Sequence, residues 1–175
     1  MLDRLPQQID PVAFAEKQRA LQGQIPLTKL SRLAGLLLDN NGQVGIDLSF
    51  SKDGRLAVVR GHIKADLVLE CRTCLEALHL PLELEVNLAV VQSLEQAERL
   101  SGEYEPLMLE DEKILLHELV EDELLLAMPD FPRHDFECTP FKQSTDSVEP
   151  TTKTSQQSQS NNPFSVLAKL KNIGD

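Results

Sequence analysis

Two long stretches of strict alternation constrain this chain more than any other feature. Ala57, Val59, Gly61, Ile63, Ala65, Leu67, Leu69 and Cys71 fall on one register, with Arg60, His62, Lys64, Asp66 and Glu70 on the other. After a short break Leu78, Leu80, Leu82, Leu84, Val86, Leu88 and Val90 alternate against His79, Glu83, Glu85 and Asn87. A period of two sends successive side chains to opposite faces, so each run reads as a strand with one buried and one solvated face. A slip of one residue would turn every apolar side chain to water, which pins the register. The runs predict a long antiparallel hairpin over about 56–71 and 78–91.

The rest of the chain is read around that hairpin. Val44, Ile46, Leu48 and Phe50 alternate with polar residues, and SKDG at 51–54 is a turn signal. Further upstream, Asp10 suits an N-cap, Pro11 the first helical position and Gly23 the residue after the end. They predict a helix over 10–22 with Val12, Phe14, Ala15 and Leu21 on its apolar face. Leu30, Leu33 and Ala34 predict a shorter helix over 27–34 that Gly35 stops. Residues 92–112 are acidic and irregular, with one helical turn at LEQAERL. ILLHELVEDELLLAM at 114–128 is the clearest later helix: Leu116, Leu119, Val120, Leu124, Ala127 and Met128 share a stripe. Glu118, Glu121, Asp122 and Glu123 are expected mostly outside it, and Pro129 and Pro132 end it.

The expected class is α+β. A small antiparallel sheet is built on the hairpin, with N-terminal helices and the acidic helix 114–128 packed on it, in a single domain over 1–141. Residues 142–161 hold almost no large apolar groups, so burial cannot offset their ordering entropy and a disordered linker is expected. A short amphipathic helix follows over 162–172, with Phe164, Val166, Leu167 and Leu170 as its apolar residues. It is read as docking either on a partner or on its own domain.

Charge narrows the range of partners. The chain carries a net −11, and residues 92–138 alone account for a net −11, the segments to either side nearly cancelling. An acidic surface repels a phosphate backbone and suits a basic partner; the plain alternative is a solvated face. The opening MLDRLPQQIDP lacks a signal-peptide apolar core and no run approaches the length of a membrane span. A soluble protein of the reducing cytoplasm is expected.

Cys71 closes the first hairpin strand on its buried register and Cys74 lies in the connection, so the pair occupies the hairpin tip. Three cysteines do not make a disulfide framework. A thioredoxin-type pair opens a helix, whereas here a strand follows, which argues against redox catalysis. A hairpin tip presents two thiolates convergently, and PRHDFEC supplies His134 and Cys138 as two further ligands. Cys71, Cys74, His134 and Cys138 would form a three-thiolate, one-imidazole zinc set. Leu75 stands where metal knuckles usually carry glycine, and the gap from 74 to 134 is long, so reduced, partly buried thiols are the competing reading. His62, His79 and His117 read as solvated residues, and Glu118, Glu121, Asp122 and Glu123 as a charged helix face. Spacing brings no nucleophile to a base, and the reading is non-enzymatic.

The order and spacing of several segments resemble the YceD family, the large ribosomal RNA subunit accumulation proteins of bacteria and plastids. The resemblance rests on DPVAFAEKQ near the start, LECRTCLEAL around the cysteine pair, EYEP at 103–106, VEDELLLAMPDFPRHDFEC at 120–138 and NPFSVLAKLK at 162–171. It implies a non-enzymatic role in the synthesis, processing or stability of large-subunit (23S) ribosomal RNA, within ribosome biogenesis. It also implies cysteines in many relatives where this chain has His134 and Cys138, which supports a metal site. Joined to the charge argument, it points to a basic ribosomal protein or assembly factor as partner. Glu118, Glu121 and Glu123 would steer that partner, and Phe164, Leu167 and Leu170 would anchor it. The alternative is direct RNA binding through Arg60, Lys64 and Arg72 on or beside the hairpin's polar face, which lacks interleaved aromatics.

Overall fold

The computed structural model describes residues 5–109 and 111–138. The expected linker over 142–161 and the terminal helix, with Phe164, Leu167 and Leu170, lie outside the described residues. In chain order, β1 (Gln8–Ile9) leads into α1 (Pro11–Glu16), β2 (Ala20–Pro26), a 3-10 turn (Leu27–Lys29), α2 (Ser31–Ala34), β3 (Leu37–Asp39) and β4 (Gln43–Asp53). The long strands β5 (Leu56–Glu70) and β6 (Ala77–Val91) follow, then α3 (Leu94–Glu98), β7 (Glu105–Met108), β8 (Ile114–Leu115) and α4 (Leu116–Ala127).

The hairpin forms in the register its alternation requires. β5 and β6 pair from Val58↔Ala89 through Ile63↔Leu84 to Glu70↔Ala77. Ile63, Leu67, Leu69, Val86 and Leu88 are buried, while Arg60, His62, Lys64, Glu83 and Glu85 are exposed. β4 pairs with β5, β2 with β4, and β3 with the far end of β5. The α4 stripe of Leu116, Leu119, Val120 and Leu124 joins Phe50, Val59, Ile63 and Leu67 in one apolar cluster. Burying each such side chain contributes about 1.5–3 kcal/mol. This is the α+β arrangement expected, with the acidic helix on the sheet.

Several local expectations are corrected. The helix predicted over 10–22 stops at Glu16. Asp10 does cap it, accepting from the Ala13 N–H at 2.8 Å, and Pro11 does open it. Gln18 then turns left-handed at φ 48°, and the Arg19 and Gln18 N–H groups donate to the carbonyls of Phe14 and Ala15. That is a Schellman closure made by glutamine in place of glycine. From Ala20 the chain is strand, because Gln22, Gly23 and Ile25 find partners along the edge of β4, so Gly23 follows no helix. The helix predicted over 27–34 breaks at Leu30 into the 3-10 turn and α2.

The SKDG signal lies slightly early. β4 runs to Asp53, which pairs with Leu56, leaving Gly54 and Arg55 as a two-residue turn, with Gly54 at φ 58°. The sheet also is not wholly antiparallel, since β7 adds a parallel edge to β6 from Leu88↔Glu105 to Val91↔Met108. Ile114 and Leu115, expected within the acidic helix, pair instead with Ile9 and Gln8 as a separate ribbon.

One position tolerates only glycine. Gly61 lies in the centre of the sheet, opposite Leu48 and Val86, at φ 156°. A Cβ there would meet the Asp47 carbonyl oxygen at 1.9 Å, far inside contact distance.

Candidate metal centre

The turn between β5 and β6 is built from its own backbone. The Cys71 N–H donates to the Glu76 carbonyl at 2.9 Å, and the Leu75 N–H donates to the Cys71 carbonyl at 2.9 Å. Leu75 completes the loop at φ 64°, the left-handed conformation that glycine adopts without cost. The segment leaving α4 is tied to this tip by the Arg72 N–H, which donates to the Pro132 carbonyl at 2.8 Å. This bond brings His134 and Cys138 to the cysteine pair, although 60 residues of chain separate Cys74 from His134.

Cys71, Cys74, His134 and Cys138 converge so that their ligand atoms all lie within 4.8 Å of one another. Cys71 Sγ is 3.7 Å from Cys138 Sγ, and Cys74 Sγ is 3.4 Å from His134 Nδ1. The sulfurs are too far apart for a disulfide, and all three cysteines are free. A tetrahedral ion with sulfur at about 2.3 Å and nitrogen at about 2.0 Å separates two sulfurs by roughly 3.8 Å and a sulfur from a nitrogen by roughly 3.5 Å. The two observed separations match those edges, so the set can hold a metal ion and is compatible with zinc.

The surrounding groups orient the ligands. His134 Nε2 lies 3.1 Å from the Ala77 carbonyl, which fixes the tautomer and leaves Nδ1 with its lone pair toward the thiols. The Thr73 N–H approaches Cys71 Sγ at 3.5 Å. Burial pushes the Cys71 thiol up, but the N–H groups of Cys74, Thr73 and His134 outweigh it and lower it to about 6. Cys138 moves the other way, up to about 11, through burial and the neighbouring sulfurs of Cys71 and Cys74. Three thiols this close cannot all be thiolate without a cation among them. Four protein ligands fill a tetrahedral shell, so an ion here would have no open position for a water and would serve structure.

The sequence profile described as "Large ribosomal RNA subunit accumulation protein YceD" matches residues 59–171, a span that includes all four converging ligands and α4. The chain belongs to the YceD family. The large ribosomal RNA subunit accumulation protein YceD of Haemophilus influenzae is 33% identical over 172 residues, covering 96% of this chain and 97% of its own. No solved structure gives a significant match. Among the described residues no helix is long and apolar enough to cross a membrane.

The other site residues expected from the sequence fare differently. On α4, Glu118 is exposed and Glu123 half-buried. Burial, then the charges of Glu105 and Asp122, hold the Glu123 carboxyl above the usual range. Glu121, expected on the outer face, is only 2% exposed. The reason is α2: Leu30 at its N-cap offers no acceptor, so Glu121 caps it from α4. Glu121 Oε1 accepts from the N–H groups of Arg32 and Leu33 at 2.8 and 3.0 Å, and Oε2 accepts from Arg32 Nε at 2.9 Å. Arg32 also reaches Asp122 at 2.7 Å. Burial raises the Glu121 carboxyl, yet these donors outweigh it and leave it below its usual value. Glu121 is therefore withdrawn from any external partner. A helix preceded by leucine, lacking a capping side chain of its own, was the signal in the sequence that another element must supply one.

The cations of the alternative RNA reading are largely engaged. Lys64 pairs with Glu83 at 2.7 Å, which lowers that carboxyl. Arg60 donates to Asn87 at 3.1 Å and to the Tyr104 hydroxyl, which itself donates to Asp53. That network fastens EYEP, which carries Tyr104, to the hairpin's base; sequence reasoning missed it. Arg72 is exposed at the hairpin tip.

Proposed function

We propose that this chain is a non-enzymatic factor for the synthesis, processing or stability of large-subunit ribosomal RNA, acting in cytoplasmic ribosome biogenesis by binding a basic ribosomal protein or assembly factor. Family membership supports the pathway. The observation that carries the mode of action is the charge of residues 92–138, net −11, combined with the local pairing of the hairpin cations Arg60 and Lys64. Such a surface cannot release counterions from RNA, and it attracts a cationic protein. Glu118 and Glu123 supply part of the steering field, and Phe164, Leu167 and Leu170 of the terminal segment supply apolar anchorage. Zinc held by Cys71, Cys74, His134 and Cys138 fastens the exit of α4 to the hairpin tip and thereby shapes the domain.

The test uses immobilised full-length protein and RNase-treated total protein extracted from salt-split large ribosomal subunits. Wild type should retain a subset of basic ribosomal proteins at about 50 mM salt and lose it as salt screens the charges. Glu118→Lys with Glu123→Lys should reduce retention severalfold. Retention of protein-free large-subunit RNA, with no protein retained, would instead establish the direct RNA reading.

A further inference from the structure

The metal tip displays apolar side chains that the domain does not use. Leu75 is 66% exposed, Phe131 77% and Phe136 67%. All three hang from the two loops that meet at the tip. Leu75 adjoins Cys74, Phe136 lies between His134 and Cys138, and Phe131 precedes the Pro132 carbonyl that Arg72 holds. The Phe136 ring is also set in place, stacked on His134 with centroids 4.7 Å apart and planes 24° apart. A ring held rigid while exposed loses little entropy when a partner covers it. Leucine at the left-handed position gains the domain nothing, since glycine there would remove both an unfavourable backbone and an exposed side chain.

We infer that this tip is the docking point for the cationic partner, a Lys- or Arg-rich protein segment carrying an apolar side chain that inserts among Leu75, Phe131 and Phe136. The inference rests on the proposed partner-binding function and adds where the partner sits. Charge complementarity selects the occupant. Glu76, Asp130, Asp135 and Glu137 are exposed around the three apolar groups, against Arg72 and Arg133. An apolar centre with a charged rim is the anatomy of a protein interface, and the excess of acid disfavours an RNA strand stacking on the same rings. The four converging ligands and the Arg72–Pro132 hydrogen bond join the two loops, so the surface is presented as a unit.

The experiment repeats the ribosomal-protein retention assay with zinc-loaded full-length Leu75→Gly, Phe136→Ser, their double variant, and Leu126→Ser as a control. Leu126 is comparably exposed but belongs to the last turn of α4 and to neither tip loop. Leu75→Gly relieves the left-handed leucine, so its Tm should equal or exceed that of wild type. Weak binding by that variant therefore cannot be blamed on unfolding. The double variant should lose about tenfold in affinity for the retained basic proteins, with Leu126→Ser unchanged. Undiminished binding by the tip variants, with loss on charge reversal of Glu118 and Glu123, would overturn the tip as docking point and leave the proposed function standing. Absence of protein binding by wild type would overturn both.

Discussion

At the scale of single residues, Gly61 and Glu121 each meet a constraint set by a distant segment of the chain. Gly61→Ala should be among the most damaging conservative changes available, since the new Cβ would lie 1.9 Å from the Asp47 carbonyl oxygen in the middle of three paired strands. A loss of about 4 kcal/mol or failure to fold is expected in chemical denaturation. Glu121 can be probed by pH. Its carboxyl is lowered from the usual 4.5, so the charge stabilises the fold above that value, and the stabilisation fades as pH falls through the lower native one. Glu121→Gln should cost about 2–3 kcal/mol at neutral pH. The gap between it and wild type should close below about pH 4.5 in parallel denaturation series. A gap that stayed constant down to the acid limit would show that the carboxylate charge is irrelevant there. Gly61 was legible in the sequence only as a member of the core register; its steric necessity comes from a neighbouring strand. The role of Glu121 was illegible because helical periodicity places it at the edge of the stripe, and its partners lie on another helix.

At the scale of elements, legibility followed the range of the interaction. The hairpin could be read residue by residue because its period is local and its two strands are adjacent in the chain. β2 and β7 could not, since each is a strand only by virtue of a non-local partner, the edge of β4 for one and the edge of β6 for the other. Asp10 and Pro11 announced the start of α1 correctly, but the left-handed Gln18 that ends it carries no glycine to give it away. The metal centre was legible as chemistry, through two cysteines at a strand end and a histidine and cysteine after a helix. The hydrogen bond from Arg72 to Pro132 that unites them was not. The expected outcome at this scale is one zinc per chain in anaerobically prepared protein, measured by elemental analysis. Cys138→Ser should abolish it and accelerate amide exchange over residues 71–77 and 132–138, while the β4–β5–β6 centre stays protected. Protein prepared without any stoichiometric metal would remove the centre.

At the scale of the whole molecule, charge and fold are distributed unequally. The hairpin and its neighbours carry nearly balanced charges that pair across strands, as Lys64 does with Glu83 and Arg60 with Asp53. The later third of the domain is where the negative excess accumulates, and there burial, with the charges of Glu105 and Asp122, raises the Glu123 carboxyl. Under the proposed function, the acids of this segment would act on a cationic protein over distances of about one Debye length. The salt dependence of partner retention is therefore a property of the ensemble of acids, and no single substitution should abolish it. The ligand order along the chain has a temporal consequence. Cys71 and Cys74 leave the ribosome as half a coordination shell, and at roughly 5–20 residues per second the other half follows after several seconds of synthesis. A nascent chain thus cannot complete its tip until α4, the last helix among the described residues, has emerged, and an ion captured there would mark that point of translation.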